Sequence, residues 1–221
     1  MSSERWTEVD RYIDDLFAPS DPALDAALQA STDAGLPPIQ VTPNQGKLLA
    51  ILAQSIQAHS ILEIGVLGGY STIWLARALA PGGKVITLEV DPKHAEVAQA
   101  NLKRAGLDGM VELHLGPALE TLPRLFASGS GSFDMVFIDA DKANCAAYFG
   151  WALKLTHPGS LIITDNVVRG GAVADPTARD PDIQGVRRFN AAMAAEPSVT
   201  ATVVQTVGSK GYDGFAIALV K

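Results

Sequence analysis

The stretch LEIGVLGGYST, residues 62–72, runs from an apolar segment into Gly65, Gly68 and Gly69 and then into residues that can open a helix near Ser71. Glycines at such a junction allow a tight turn and let a ligand approach the backbone; the alternative is a plain glycine turn. Working outward, short apolar, mostly β-branched runs at 61–66, 85–90, 111–115, 133–138 and 161–164 alternate with helical stretches at 72–79, 94–105, 119–126 and 145–155. Alternation of this length predicts βαβ units and a mostly parallel sheet with helices on both faces, a doubly wound α/β domain. The end of the chain breaks the rule. Runs at 199–207 and 215–220 are joined by GSKGYDG with no room for a helix, and so predict a terminal antiparallel hairpin. Before the first strand, Val9, Tyr12, Ile13 and Leu16 fall at helical spacing, two more helices are expected at 22–30 and 45–57, and the proline-rich 35–43 is a connector. SGSGS (128–132) and DPTARDPD (175–182) read as polar loops.

The 221 residues are 48% hydrophobic and 19% charged, which excludes a mainly disordered chain. Seventeen basic against 24 acidic residues leave a net charge of −7 with no basic patch, so no nucleic-acid partner is expected. Cys145 is the single cysteine, which rules out an intrachain disulfide and multi-thiolate zinc sites and fits a reducing compartment. The N-terminal MSSERWTEVDRYIDDLF mixes charges throughout and is unlike a secretory signal. Nowhere do ~18 apolar residues run together. A soluble, cytoplasmic protein without a membrane partner is expected.

In an open parallel sheet, ligands bind beyond the carboxyl ends of the strands. Gly65 and Gly68 do not make the GxGxxG of dinucleotide sites, and Glu63 at the strand end would repel a pyrophosphate but welcome a cation. S-adenosylmethionine, with a sulfonium, an ammonium and no phosphate, suits this loop better than NAD. Glu89 lies 24 residues after Gly65, near the ~20-residue offset at which a carboxylate takes ribose hydroxyls; otherwise it is a solvated carboxylate beside Asp91.

The fourth strand, FDMVFIDADK (133–142), delivers Asp139, Asp141 and Lys142 to the crevice, and the fifth, SLIITDNVV (160–168), delivers Asp165 and Asn166. Three carboxylates and an amide at adjacent strand ends repel one another unless a cation lies between them, and all-oxygen donors favour magnesium, manganese or calcium. Consecutive strand residues point to opposite faces, so Asp165 and Asn166 reach one ion only if the strand has ended there; the alternative is that they merely turn the chain. Lys142, three residues past Asp139, would be pushed toward neutrality by a metal and could act as general base. Its alternative is a salt bridge to Asp139 or Asp141.

These motifs resemble those of the cation-dependent O-methyltransferases, the group containing catechol and caffeoyl-CoA O-methyltransferases, from about Val41 to the C-terminus. The resemblance implies a Rossmann-like, S-adenosylmethionine-dependent methyltransferase fold with a seven-stranded sheet and a C-terminal antiparallel hairpin. It implies one methyltransferase domain over 1–221, with 58–221 as the core and 1–57 adding helices to the substrate site or a dimer contact. By it, Asp139, Asp165 and Asn166 would bind Mg²⁺ or another divalent cation, and Lys142 would take the proton of the substrate hydroxyl. Val41, Glu63, Gly65, Val66, Ser71, Glu89, Ala118 and Asp141 match positions that hold S-adenosylmethionine. The implied acceptor is a vicinal dihydroxy aromatic small molecule, and a homodimer is expected. One departure is local: plant members follow Asp-Asn with an apolar pair and Trp-Asn-Gly, whereas here Val167, Val168, Arg169, Gly170 and Gly171 follow.

Two other functions use the same sheet. A nucleotide-dependent oxidoreductase is disfavoured by the missing GxGxxG, and a non-catalytic ligand-binding protein by the clustered charges of Asp139, Lys142, Asp165 and Asn166. His59, His94, His114 and His157 lack ligand spacing and read as structural or exposed; Cys145 reads as a buried thiol. Trp6, Tyr12 and Phe17 could cap the crevice, but a dimer contact is favoured, because an apolar stripe must pack on something.

Overall fold

The computed structural model describes residues 3–19 and 21–221. Three helices come first: α1 (Ser3–Phe17), α2 (Pro22–Asp33) and α3 (Pro43–Ser55). Then β1 (Ser60–Ile64), α4 (Tyr70–Ala78), β2 (Lys84–Glu89), α5 (Pro92–Arg104), β3 (Val111–Leu115), α6 (Ala118–Ala127) and β4 (Phe133–Ile138) alternate. A 3-10 turn at Lys142–Asn144 leads into α7 (Cys145–Leu155) and β5 (Thr156–Asp165), and a kinked 3-10 segment at Arg169–Ala174 precedes α8 (Pro181–Ala195). The chain ends in β6 (Val199–Gly208) and β7 (Gly211–Val220).

Helices α2, α3, α5 and α8 start with one device, a capping side chain followed by proline. Asp21, Thr42, Asp91 and Asp180 each accept hydrogen bonds from the first turn, and Pro22, Pro43, Pro92 and Pro181 occupy positions where no N–H is missed. This identifies α8, which the sequence reading left out: the polar run 175–182 ends in its cap, and Ile183, Val186, Phe189 and Met193 then recur at helical spacing.

The seven strands lie in the order β3-β2-β1-β4-β5-β7-β6. β1 to β5 pair in parallel, and β7 runs antiparallel to both β5 and β6. The terminal hairpin is tighter than expected. Pairing continues from Gln205↔Gly214 to Gly208↔Gly211, leaving Ser209 and Lys210 as the whole turn. GSKGYDG looked like a loop because its residues are small and polar, but the ladder, not composition, sets the length of a hairpin turn.

Alternate strand residues feed two cores. Leu62, Ile64, Val136, Ile138 and Ile162 pack under α6, α7 and α8 with Phe149 and Phe189, whereas Ile61, Met135, Phe137 and Ile163 pack under α2, α3 and α4 with Leu49 and Ile73. No helix among the described residues is long and apolar enough to cross a membrane. The strand order reverses between β1 and β4, so their connections leave toward opposite faces and a crevice opens at their carboxyl ends.

Candidate active site

That crevice is a cavity of about 710 Å³. It is lined by Val41, Gly65, Val66, Ser71, Glu89 and Ala118 together with Asp139, Asp141, Lys142 and Asn166. Of the cofactor, metal and catalytic residues expected from sequence, Glu63 and Asp165 do not line it.

Two glycine-loop positions have a specific steric reason. Gly65 has φ +94°, and a Cβ there would lie 2.2 Å from the Asp139 carbonyl oxygen. Gly68 leaves no room either, with Ser31 Oγ 2.0 Å from a built Cβ. Gly65→Ala is therefore expected to lower the thermal midpoint by roughly 5 °C or more, because left-handed strain and overpacking add; a differential-scanning midpoint equal to wild type would show that the backbone yields freely here.

Glu89 knits two loops together. Its Oε2 accepts from the N–H groups of Val66 (3.1 Å) and Leu67 (2.9 Å), and Oε1 from those of Val90 and Asp91, both at 2.9 Å. His94, in the first turn of α5, also lines the cavity, with Nδ1 3.7 Å from Glu89 Oε1. Sequence reading assigned it no site role; the signal was its place three residues after Asp91, just past the end of β2.

Glu63 departs from expectation. Its side chain is fully buried and accepts from Ser71 Oγ (2.6 Å), Thr72 Oγ1 (2.6 Å) and Thr87 Oγ1 (2.8 Å). Burial pushes its carboxyl up to about 7 against the pull of the three hydroxyls. It reaches the cavity only through Ser71, which it orients.

At the ends of β4 and β5, Lys142 Nζ donates to Asp139 Oδ1 at 2.9 Å and to the Asp165 carbonyl at 3.2 Å. Burial, the largest single influence, pulls the lysine down, but the charge and hydrogen bond of Asp139 together with Cys145 and Asp165 outweigh it, and the net shift is upward. In this state Lys142 is thus a charged partner of Asp139, the salt bridge that stood as the alternative to a neutral base. Asp165 closes β5, paired with Phe215, and Asn166 leaves the strand with φ 57°. The strand ends between them, the condition for both to reach one point. Burial and then the Asp139 charge drive the Asp165 carboxyl well up, opposed by Lys142, the Asn166 N–H and the Gln45 side chain of α3.

Asp141 does not join a three-carboxylate cluster. Tyr148 Oη and Asn144 Nδ2 (2.7 Å) hold its carboxylate. Among the described residues, no group of three or more His, Cys, Asp or Glu side chains gathers in a way that could hold a metal ion. The remaining donor set is two carboxylates and an amide, Asp139, Asp165 and Asn166. All are hard oxygen ligands, and the carboxylates meet at an energetic cost that a divalent cation would relieve.

Cys145 is buried and its thiol pushed up to about 11 by burial, an inert side chain. Trp6, Tyr12 and Phe17 are not among the residues lining the cavity. Arg169 and Asp182 are, 3.8 Å apart; the mixed composition of 169–182 concealed them.

Residues 18–219 match the O-methyltransferase family. The chain is 53% identical to a catechol O-methyltransferase of Niastella koreensis over the full length of both proteins. It is 53% identical to a catechol O-methyltransferase of Mycobacterium tuberculosis over 97% of this chain and 96% of the other. Among solved structures, an O-methyltransferase from Bacillus cereus in complex with SAH superposes with a TM-score of 0.98 at 54% identity, covering all of both chains. TomG, an O-methyltransferase from Streptomyces achromogenes in complex with SAM, superposes with a TM-score of 0.96 at 52% identity, covering 100% of this chain and 99% of that one.

Proposed function

The chain belongs to the O-methyltransferase family, and from that premise we propose that it moves the methyl group of S-adenosylmethionine to one hydroxyl of a vicinal dihydroxy aromatic molecule, with a divalent cation at Asp139, Asp165 and Asn166. The observation that carries this reading is the shared cavity: the glycine loop and Glu89 line the same cavity as Asp139, Lys142 and Asn166. The relatives named catechol O-methyltransferase and those crystallised with SAM or SAH support the acceptor and the donor.

In the transfer, the acceptor oxygen attacks the methyl carbon, the carbon–sulfur bond breaks toward sulfur, and the hydroxyl proton must leave. A phenol with pKa near ~10 is mostly protonated at neutral pH, so the hydroxyl needs activation. A divalent cation, when bound, supplies Lewis acidity and a template for two adjacent oxygens. Val66 and the Glu63-oriented Ser71 hold the donor's side of the cavity, Glu89 offers its carboxylate toward the ribose, and Ala118 and Asp141 flank the nucleoside. Asp139, Asp165 and Asn166 gather the hard oxygens. Lys142 Nζ takes the hydroxyl proton as the neutral amine, so the ammonium that donates to Asp139 in this structure must first give up a proton, a loss that a cation drawing on the Asp139 carboxylate would favour.

Mass spectrometry of the chain with S-adenosylmethionine and catechol, with Mg²⁺ or with EDTA, tests the reading. A methyl ether is expected only with the cation. Failure to methylate any catechol at saturating donor and Mg²⁺ would overturn it.

We infer also that the chain works as one domain and that a second copy covers the face where α1 meets β6. α1 buries no residue and exposes Val9, Tyr12, Leu16 and Phe17, and the neighbouring edge strand exposes Val203, Val204 and Val207. A free edge is self-complementary under two-fold symmetry. Sedimentation of a monomer at micromolar concentration would remove this inference.

A further inference from the structure

We infer that Lys210, at the tip of the β6–β7 hairpin, selects acceptors whose ring carries a carboxylate over acceptors whose ring carries an ammonium; this rests on the acceptor class proposed above.

The tip is anchored from two sides. Asp10 of α1 accepts the Ser209 N–H at 2.6 Å and packs so closely on Gly208 that a Cβ there would lie 2.5 Å from Asp10 Oδ2. With the turn reduced to two residues, Lys210 has little backbone freedom. Its Nζ donates to the carbonyl of Gln40, which lines the cavity together with Ile39 and Val41. The ammonium therefore sits at the rim formed by the proline-rich connector. Asp139 and Asp165 act on its charge, which places it in the electrostatic neighbourhood of the acceptor wall.

One lysine and one arginine line the cavity, and both are already matched with carboxylates: Lys142 with Asp139 at 2.9 Å and Arg169 with Asp182 at 3.8 Å. Among the described residues the hydrogen-bond partner of Lys210 is a neutral carbonyl and no carboxylate pairs with it, Asp139 and Asp165 acting only from a distance, though an ammonium has three donors. A carboxylate on the acceptor ring would complete its coordination. A ring bearing an alkylammonium would meet like charge and displace nothing useful. Lys210 is exposed to solvent, so screening limits the effect to roughly 5- to 20-fold rather than orders of magnitude.

The test compares kcat/KM for 3,4-dihydroxybenzoate, catechol and dopamine at saturating S-adenosylmethionine and Mg²⁺, in wild type, Lys210→Met and Lys210→Glu. The wild type is expected to favour the benzoate over dopamine by roughly tenfold, a margin that shrinks as salt is raised. Lys210→Met should raise KM for the benzoate by roughly 5- to 20-fold and change catechol less than threefold, and Lys210→Glu should turn the preference toward dopamine. Equal effects of Lys210→Met on all three acceptors, or a wild type indifferent to their charge and to salt, would overturn the role of Lys210 while leaving the proposed reaction intact. A wild type that methylates none of the three would overturn both. The wild-type charge preference and its salt dependence need no variant, so the inference stays testable if a substitution impairs folding.

Discussion

Asp139→Ala is expected to lower Mg²⁺-dependent methylation of catechol by at least about 100-fold while S-adenosylhomocysteine binds within about threefold of wild type. Asp139 is the first residue beyond β4, and its carboxylate is both a proposed cation ligand and the partner of Lys142. Truncation removes the ligand and leaves a buried ammonium without its counter-charge. The donor side is insulated, because what Gly65 touches is the Asp139 backbone carbonyl, which alanine retains. Glu89 and Ser71 are held by partners that do not involve the Asp139 side chain. Initial rates across a Mg²⁺ titration, with calorimetry of S-adenosylhomocysteine binding, separate the two effects. Full activity of the variant in EDTA would defeat the cation assignment.

Lys142→Met should reduce kcat by roughly 10²- to 10⁴-fold, the usual contribution of a positioned base, with little change in donor affinity. Methionine keeps most of the buried aliphatic volume, so packing of the Lys142–Asn144 turn against α8 is largely preserved. Lys142→Arg then divides two roles. Arginine restores a positive charge beside Asp139 but does not deprotonate at accessible pH, so it should recover stability without recovering turnover. Single-turnover rates of both variants decide: wild-type turnover in Lys142→Arg would mean that the lysine acts through its charge alone.

The order of strands and helices was legible because apolar runs of strand length alternate with helical ones, and the terminal hairpin because no helix fits between its strands. α8 was missed although its start carries the same cap-and-proline pair as three other helices; the acidic, proline-rich run before it masked the signal. Asp139, Lys142 and Asn166 were legible as cavity residues because strand ends in a doubly wound sheet face the crevice. The inward turn of Glu63 was not. β1 is covered on both faces, so alternation along it cannot say which face holds water and which holds hydroxyl partners. Asp141 escaped for a different reason: the residue that turns its carboxylate, Tyr148, lies two helical turns on, and its direction depends on how α7 docks. Gln45 and Gln40 reach the site from segments far away in sequence, a matter of tertiary packing alone.

The contact of Gly65 with the Asp139 carbonyl means that the donor loop and the acidic wall are separated by one layer of main chain. Neither can be reshaped alone. Diversification toward new acceptors is thereby channelled to the periphery, where the hairpin tip, residues 39 and 40 and residues 169–182 can be exchanged as modules. An engineer seeking altered regiochemistry would graft these three and leave the interior untouched.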